Sequence, residues 1–156
     1  NFDRLRAEGL RIPVHAGEAA GAWSVRDAVE VLKAERIGHG LNLMQDAALI
    51  RHFRETRLPV EVSPTSNYCL NVVSRSEPHP IRQMIDAGIN CLVNSDDPGM
   101  FNTSLTGEYA LLAGQGFTRD ELWQMNLAAI DASFQAAPEK RRLKDAYDAW
   151  RRASET

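Results

Sequence analysis

Short apolar runs that alternate with helical segments constrain the fold of this chain more than any other feature of its sequence. Four such runs occupy residues 11–15, 36–39, 58–62 and 89–94. A segment with helical periodicity follows each run, which is the pattern of βα units that build a parallel sheet. A chain of 156 residues favours one domain over two. The pattern therefore predicts a single α/β domain with four strands, followed by a group of helices.

Local signals mark where several of these helices begin. Ser24 with Asp27 three residues later has the spacing of a capping box, and Thr118 with Glu121 has the same spacing. Asp46 stands directly before another helical pattern, where a carboxylate can accept hydrogen bonds from the first free backbone N–H groups. We therefore predict helix starts next to Ser24, Asp46 and Thr118.

Polar residues able to do chemistry stand at the ends of all four predicted strands, with Glu61 and the segment Ser63–Asn67 at the third. His15 and Glu18 follow the first, His39 ends the second, and Asp96 and Asp97 follow the fourth. The carboxyl ends of parallel strands meet on one face, where active sites of α/β folds lie. His and Asp suit zinc or a similar divalent ion, which can activate water. Glu18 could then carry a proton, and His39 could orient or deprotonate the water.

Each of these residues also has an ordinary structural interpretation. His15 could be a hydrogen-bonded residue at a strand end, and Glu18 could favour a helix start. His39 could be a turn residue between two glycines, and the Asp96–Asp97 pair could cap a helix. Their coincidence at several strand ends favours a metal-assisted hydrolase. Two adjacent carboxylates also repel each other unless a cation or a shared proton is present.

Composition excludes several other classes of protein. The chain has 18 Lys and Arg against 21 Asp and Glu, so a nucleic-acid partner is not expected. No apolar run approaches the roughly 20 residues of a membrane span. The polar opening, residues 1–8, is unlike a signal peptide, and Cys69 and Cys91 are too few for a disulfide framework. We therefore expect a cytoplasmic protein without a nucleic-acid or membrane partner.

Five sequence blocks, in their order and spacing, resemble the adenosine deaminase family, which also includes adenine and aminodeoxyfutalosine deaminases. These blocks are His15–Glu18, Arg36–Gly40, Ser63–Asn67, His79–Pro80 and Asn94–Pro98. The resemblance extends over the whole chain. It implies a small-molecule purine nucleoside or base as partner and leaves the oligomeric state open.

The resemblance implies a role for each candidate residue. His15 and Asp96 would be metal ligands for one Zn²⁺ or another divalent ion. Glu18 would donate a proton to N1 of the purine, His39 would lie beside the activated water, and Asp97 would hydrogen-bond N7 of the purine. The implied reaction is hydrolytic deamination at C6 of a 6-aminopurine nucleoside, converting adenosine to inosine and ammonia in purine salvage.

The resemblance also implies that part of a barrel is missing. The family fold is a (β/α)₈ TIM barrel of the metal-dependent hydrolase type, and the four runs match its strands five to eight. The family's first strand carries a His-x-His pair of metal ligands, a pattern that this sequence lacks. We therefore expect residues 1–156 to be the C-terminal half of a single catalytic domain.

Other functions remain open at this point. The substrate could be adenine or aminodeoxyfutalosine, because part of the substrate site would lie in the missing half. The chain could instead be an inactive fragment or a non-catalytic subunit without the first-strand ligands. A different hydrolase of the same barrel superfamily is disfavoured, because such enzymes usually use a carboxylated Lys and no Lys stands at a predicted strand end.

Overall fold

Four parallel strands form one sheet in the computed structural model, which describes residues 2–154. The strands are β1 Pro13–Ala16, β2 Arg36–His39, β3 Val60–Val62 and β4 Cys91–Val93. They lie side by side in chain order, and each pairs in parallel with the next. This confirms the α/β class and the four predicted strands. Residues 1, 155 and 156, which the predicted domain includes, lie outside the described residues.

Helices connect and follow the strands. Within residues 2–154 they are α1 Phe2–Ala7, α2 Ala22–Glu30, α3 Ala47–Thr56, α4 Pro64–Cys69, α5 Ile81–Asp86, α6 Pro98–Phe101, α7 Leu105–Gly114, α8 Arg119–Ala132 and α9 Ala137–Ser154, with a 3-10 helix at Leu41–Gln45. The short helices α1, α4 and α6 and the 3-10 helix carry no strong periodicity and were not predicted. No helix in the described part of the chain is long and apolar enough to cross a membrane.

The core lies between the sheet and its helices. Ile37 of β2 and Val60 of β3 are fully buried, as are Phe53 of α3 and Met84 of α5. All four belong to one continuous apolar cluster. Because each βα unit adds side chains to this cluster, the carboxyl ends of the strands are held at a common edge.

Two of the three predicted helix starts are confirmed. The Asp46 carboxylate accepts hydrogen bonds from the backbone of Ala48 and Leu49, and Thr118 and Glu121 form the complete capping box. The prediction at Ser24 is wrong, because the N-cap of α2 is Gly21, three residues before Ser24.

The Ser24 side chain serves the loop before α2 instead of the helix. Its hydroxyl accepts from the Gly17 N–H at 2.9 Å and donates to the Gly21 carbonyl at 2.8 Å. A serine hydroxyl commonly hydrogen-bonds to backbone groups nearby in the chain. Here those groups belong to the turn before α2 and not to the helix itself.

Glu108 is a fully buried carboxylate with specific partners. It accepts from the Thr65 N–H at 2.9 Å and from the Thr103 hydroxyl at 2.6 Å. Since Thr65 lies in α4 and Glu108 in α7, these bonds fasten α4 to the helices that follow the sheet.

His79, expected in a capping or loop role, is buried with only 1% of its surface exposed. Its Nδ1 accepts from the Ile81 N–H at 3.2 Å, and its Nε2 lies 3.1 Å from Asn67 Oδ1. Burial lowers the pKa of His79 from 6.5 to about 4, because a charged imidazole is poorly solvated there. The native structure therefore contains neutral His79 at physiological pH.

Replacing Phe53 by Ala should destabilise the fold strongly. The ring is fully buried at the centre of the apolar cluster, and removing it leaves a cavity that costs about 3–5 kcal/mol. Urea denaturation measures this loss. Arg51→Ala, on the exposed face of the same helix, is the matched control and should change stability by less than about 0.5 kcal/mol. Equal stability of the two variants would contradict the assigned core.

Acidification should destabilise the chain through His79. Its pKa is about 4 when folded and near 6.5 when unfolded, so the unfolded state binds more protons between these values. Stability from this group is therefore complete above pH 6.5 and falls by roughly 3 kcal/mol as the pH drops below 4. Urea midpoints from pH 7.5 to pH 4 measure the slope.

Two variants isolate the contribution of this histidine to the pH dependence. His79→Gln should show a shallower fall in stability between pH 6.5 and 4 than the parent chain. His52→Gln, a change on helix α3 away from the buried site, should keep the parent slope. A parent slope in His79→Gln would show that His79 does not set the acid response.

Candidate functional site

The first candidate residue, His15, lies on β1 directly beside Gly38 of β2. A Cβ atom on residue 38 would lie 2.2 Å from His15 Cδ2, a distance that atoms cannot occupy. Glycine at position 38 therefore makes room for the imidazole. The His15 ring meets the His39 ring edge to face, with centroids 5.2 Å apart, so the structure brings these two predicted residues together.

Both His39 and Asp96 have left-handed backbone conformations, with φ of 65° and 56°. Such conformations are strained for residues with a side chain, and strain of this kind is concentrated at functional sites. Gly40 follows with φ of 64°, and a Cβ atom there would lie 2.6 Å from Val60 Cγ1. The backbone therefore has unusual geometry at the last residue of β2 and at Asp96, three residues after the end of β4.

Asn42 holds the loop that carries Glu18. Its side-chain amide donates to the carbonyl oxygens of Glu18 and Ala20, each at 2.9 Å, and its backbone N–H donates to the Gly17 carbonyl at 2.8 Å. The Glu18 carboxylate then lies with Oε1 3.3 Å from His39 Nδ1. The structure thus brings both predicted catalytic residues into direct contact.

Asn67 of α4 is the centre of a buried hydrogen-bond network. Its Nδ2 lies 3.2 Å from His39 Nδ1 and 3.4 Å from Glu18 Oε1. Its Oδ1 faces His79 Nε2. Asn67 is fully buried, so it links the two predicted catalytic residues to His79 without contact with solvent.

The pKa of His39 is lowered from its ordinary value. Burial of the ring is the largest cause, and the carboxylates of Glu18 and Asp96 oppose it by favouring the charged ring. His15 adds to the lowering. The pKa of His39 is therefore affected by three of the other predicted site residues.

Asp96 joins the site through Ser66. The Ser66 hydroxyl donates to Asp96 Oδ2 at 2.7 Å, and the Asp96 N–H donates to Asn94 Oδ1 at 3.2 Å. Asn94 in turn donates to Glu61 Oε2 at 2.7 Å. These bonds position Asp96 at the end of β4, where its side chain remains exposed.

Asp97 has a structural task in this conformation. It is the N-cap of α6, and its Oδ1 accepts from the Met100 N–H at 2.8 Å. Asp97 is exposed, and its described side-chain hydrogen bond is made within the start of α6. Its assignment to substrate binding stays a prediction.

A metal ion would find suitable ligand types here but an incomplete set. His15 supplies an imidazole and Asp96 a carboxylate, and both side chains are accessible. Within residues 2–154, no group of three or more His, Cys, Asp or Glu residues is placed to hold a metal ion. Catalytic zinc usually has three protein ligands. The described residues therefore fit zinc in chemistry and provide only part of its coordination.

The sequence patterns did not predict the residues that position the candidate catalytic side chains through hydrogen bonds. Asn42 carried no pattern, and the partners of Asn67 and His79 were not foreseen, although both residues lie in blocks that carried the family resemblance. His79, which stands beside Pro80, was expected only in a capping or loop role, and the partners of Asn67 and His79 are distant along the chain.

Comparison with known proteins identifies the family. The sequence model named Adenosine deaminase matches residues 1–150. The chain is 44% identical over 96% of its length to aminodeoxyfutalosine deaminase of Streptomyces coelicolor, of which it covers 39%. It is 45% identical over 85% of its length to adenine deaminase of Rhizobium rhizogenes, of which it covers 42%.

Solved structures agree with this relation. The fold matches adenine deaminase from Arthrobacter aurescens with a TM-score of 0.92 and 32% identity, over 97% of this chain and 46% of that one. It matches a zinc-bound amidohydrolase from Burkholderia ambifaria with a TM-score of 0.87 and 28% identity, over 95% of this chain and 42% of that one. The chain thus spans about two fifths of the curated relatives that it matches, and it belongs to the adenosine deaminase family.

Proposed function

We propose that this chain supplies the proton-transfer and purine-binding part of a hydrolytic aminopurine deaminase. The observation that carries the proposal is the contact between the Glu18 carboxylate and the buried His39 ring, 3.3 Å apart at the carboxyl edge of the sheet. A carboxyl group beside a buried imidazole is a suitable pair for general acid–base chemistry. Family membership supports the same reaction class.

Glu18 is the proposed proton carrier. Its side chain is 24% exposed, while that of His39 is 5% exposed. Glu18 can therefore meet a bound purine, take a proton from the attacking water and pass it to N1 as C6 accepts the hydroxyl group. His39 lies behind it and orients the water.

His15 and Asp96 are the proposed metal ligands of this chain. The zinc bound in the Burkholderia ambifaria structure supports zinc as the ion. When bound, zinc supplies Lewis-acid activation of water at neutral pH. Since the described residues hold no group of three ligands, the remaining ligands must come from outside this set. We infer that the chain is the C-terminal half of the catalytic domain, as the partial coverage of its relatives suggests.

Asp97 is the proposed contact to the purine ring. Its Oδ1 is engaged at the start of α6, and its second oxygen belongs to an exposed side chain next to Asp96. A carboxylate in this place can accept a hydrogen bond from the N7–H form of adenine, whereas an N9-substituted purine has no hydrogen on N7, so the carboxyl group would have to donate.

The proposed substrate is adenine or the adenine group of aminodeoxyfutalosine. Adenosine was the first expectation from the sequence, but the relatives described above carry the names adenine deaminase and aminodeoxyfutalosine deaminase. A related Arabidopsis structure is described as an N6-methyl-AMP deaminase. These names support a 6-aminopurine as the shared chemical class and a role in purine metabolism.

A non-catalytic role is the second candidate for the chain by itself. The observation that favours it is the incomplete metal coordination within residues 2–154. Such a chain would bind a purine or a partner without turnover.

A chimaeric enzyme tests the proposal directly. This chain should replace the matching part of the Arthrobacter aurescens adenine deaminase, whose fold it shares. We expect the purified chimaera to release ammonia from adenine, aminodeoxyfutalosine or adenosine. Glu18→Gln in the chimaera should lower kcat by about 10²–10⁴-fold, because a positioned acid–base group contributes that much.

Glu30→Gln is the matched control, since Glu30 is an exposed carboxylate on α2. It should leave kcat and KM unchanged. Two results would overturn the proposal: a folded chimaera that deaminates none of the three purines, or undiminished turnover in the Glu18→Gln variant.

A further inference from the structure

One backbone N–H group determines which atoms donate and which accept in the buried hydrogen-bond network around Asn67. The Ile81 N–H can only donate, and it points at His79 Nδ1 from 3.2 Å. His79 Nδ1 must therefore be an unprotonated acceptor. Because His79 is buried and its burial favours the neutral ring, its one proton belongs on Nε2.

The proton on His79 then fixes the orientation of the Asn67 amide. His79 Nε2 lies 3.1 Å from Asn67 Oδ1, so an N–H donor faces the amide oxygen. A reversed amide would place two donors against each other and leave a buried donor unsatisfied, which costs about 1–3 kcal/mol. The Asn67 NH₂ group is therefore turned toward the other side, where the candidate catalytic residues lie.

The two amide hydrogens of Asn67 have two acceptors in reach. One is His39 Nδ1 at 3.2 Å and the other is Glu18 Oε1 at 3.4 Å. Since an amide NH₂ donates and does not accept, His39 Nδ1 must be unprotonated. The remaining proton of neutral His39 is then carried by Nε2.

We propose that His79 and Asn67 are positioning residues that select the Nε2–H tautomer of His39. The relay runs from the Ile81 N–H through His79 and the Asn67 amide to His39 Nδ1. Its catalytic meaning rests on the proposed function: neutral His39 presents an N–H donor on the nitrogen that faces away from Asn67. In that state it orients water as a hydrogen-bond donor, and the proton transfer falls to Glu18.

Asn67 is needed because Glu18 favours the opposite tautomer. A carboxylate 3.3 Å from His39 Nδ1 attracts a proton onto that nitrogen. The Asn67 amide offsets this attraction by placing its own hydrogens at both acceptors. Without the amide, the electrostatic preference of Glu18 would move the proton of His39 from Nε2 to Nδ1.

Ring-nitrogen NMR of the ¹⁵N-histidine-labelled chain tests this directly, without added metal or substrate. Long-range ¹H–¹⁵N spectra at neutral pH distinguish the two tautomers by which nitrogen is protonated. We expect His39 to show a protonated Nε2 and an unprotonated Nδ1. The chain has four histidines, so His15→Gln, His52→Gln and His79→Gln each identify one set of signals and leave the fourth to His39. A protonated Nδ1 in the parent chain would overturn the proposal.

Three variants test whether Asn67 and His79 control the tautomer of His39. Asn67→Leu keeps the side-chain size, removes the amide and should transfer the proton of His39 to Nδ1. His79→Gln can place an N–H at the same position and should keep the parent tautomer of His39. His79→Phe, which cannot donate, should produce a mixture of tautomers. A parent tautomer in both Asn67→Leu and His79→Phe would show that the relay does not control His39.

This measurement is independent of the deaminase proposal. An inactive chimaera together with the expected tautomer switch would reject the proposed function and retain the relay. An active chimaera with Nδ1-protonated His39 would retain the proposed function and reject the relay.

Discussion

The pairing of β1 with β2 determines the geometry of everything else in the candidate site. In this parallel register His15 lies beside Gly38, and Ala16 lies beside His39. The missing side chain at position 38 admits the His15 imidazole, which then meets His39 at its edge. Regular alternation would turn His39, the residue after Gly38, to the other face of the sheet, but the left-handed backbone of His39, with φ of 65°, breaks that alternation. The register and the left-handed backbone of His39 together bring the two histidines into one site.

Buried hydrogen bonds connect the candidate site at the sheet edge to the surrounding helices. Glu108 of α7 accepts a hydrogen bond from the backbone of α4. Asn67 of α4 contacts the His39 ring, and His79, just before α5, contacts Asn67. Each of these groups is nearly or fully buried, so each bond is costly to leave unmade. These helices are therefore connected to the site through buried side chains whose orientations are restricted by their hydrogen bonds.

The sequence predicts those features that depend on local physics. The strands follow from short apolar runs, and the caps at Asp46 and Thr118 follow from side chains that reach backbone groups two or three residues away. Ser24 shows the limit of this reasoning, because the same hydroxyl can satisfy the preceding turn. The candidate residues at strand ends were predictable because parallel strands bring their carboxyl ends together.

The contacts that organise the site were beyond sequence reasoning for a physical reason. Asn67 and His39 are separated by 28 residues and Glu18 and Asn67 by 49, so no local periodicity relates them. The orientation of an amide and the tautomer of a ring depend on which groups surround them after folding. Family resemblance could mark the blocks in which Asn67 and His79 stand, but their hydrogen-bond partners emerged from the packing of α4 and α5 beneath the strand ends.

Burial divides the candidate site into two chemically different parts. His39, Asn67 and His79 are buried and satisfy one another, whereas His15 and Asp96 are exposed. A buried network must be complete within the folded chain, because water cannot compensate a missing partner. Exposed ligands have no such requirement and can remain solvated until other groups complete the coordination. It follows that the proposed proton-ordering network lies within this chain, while the proposed metal site would need ligands beyond His15 and Asp96.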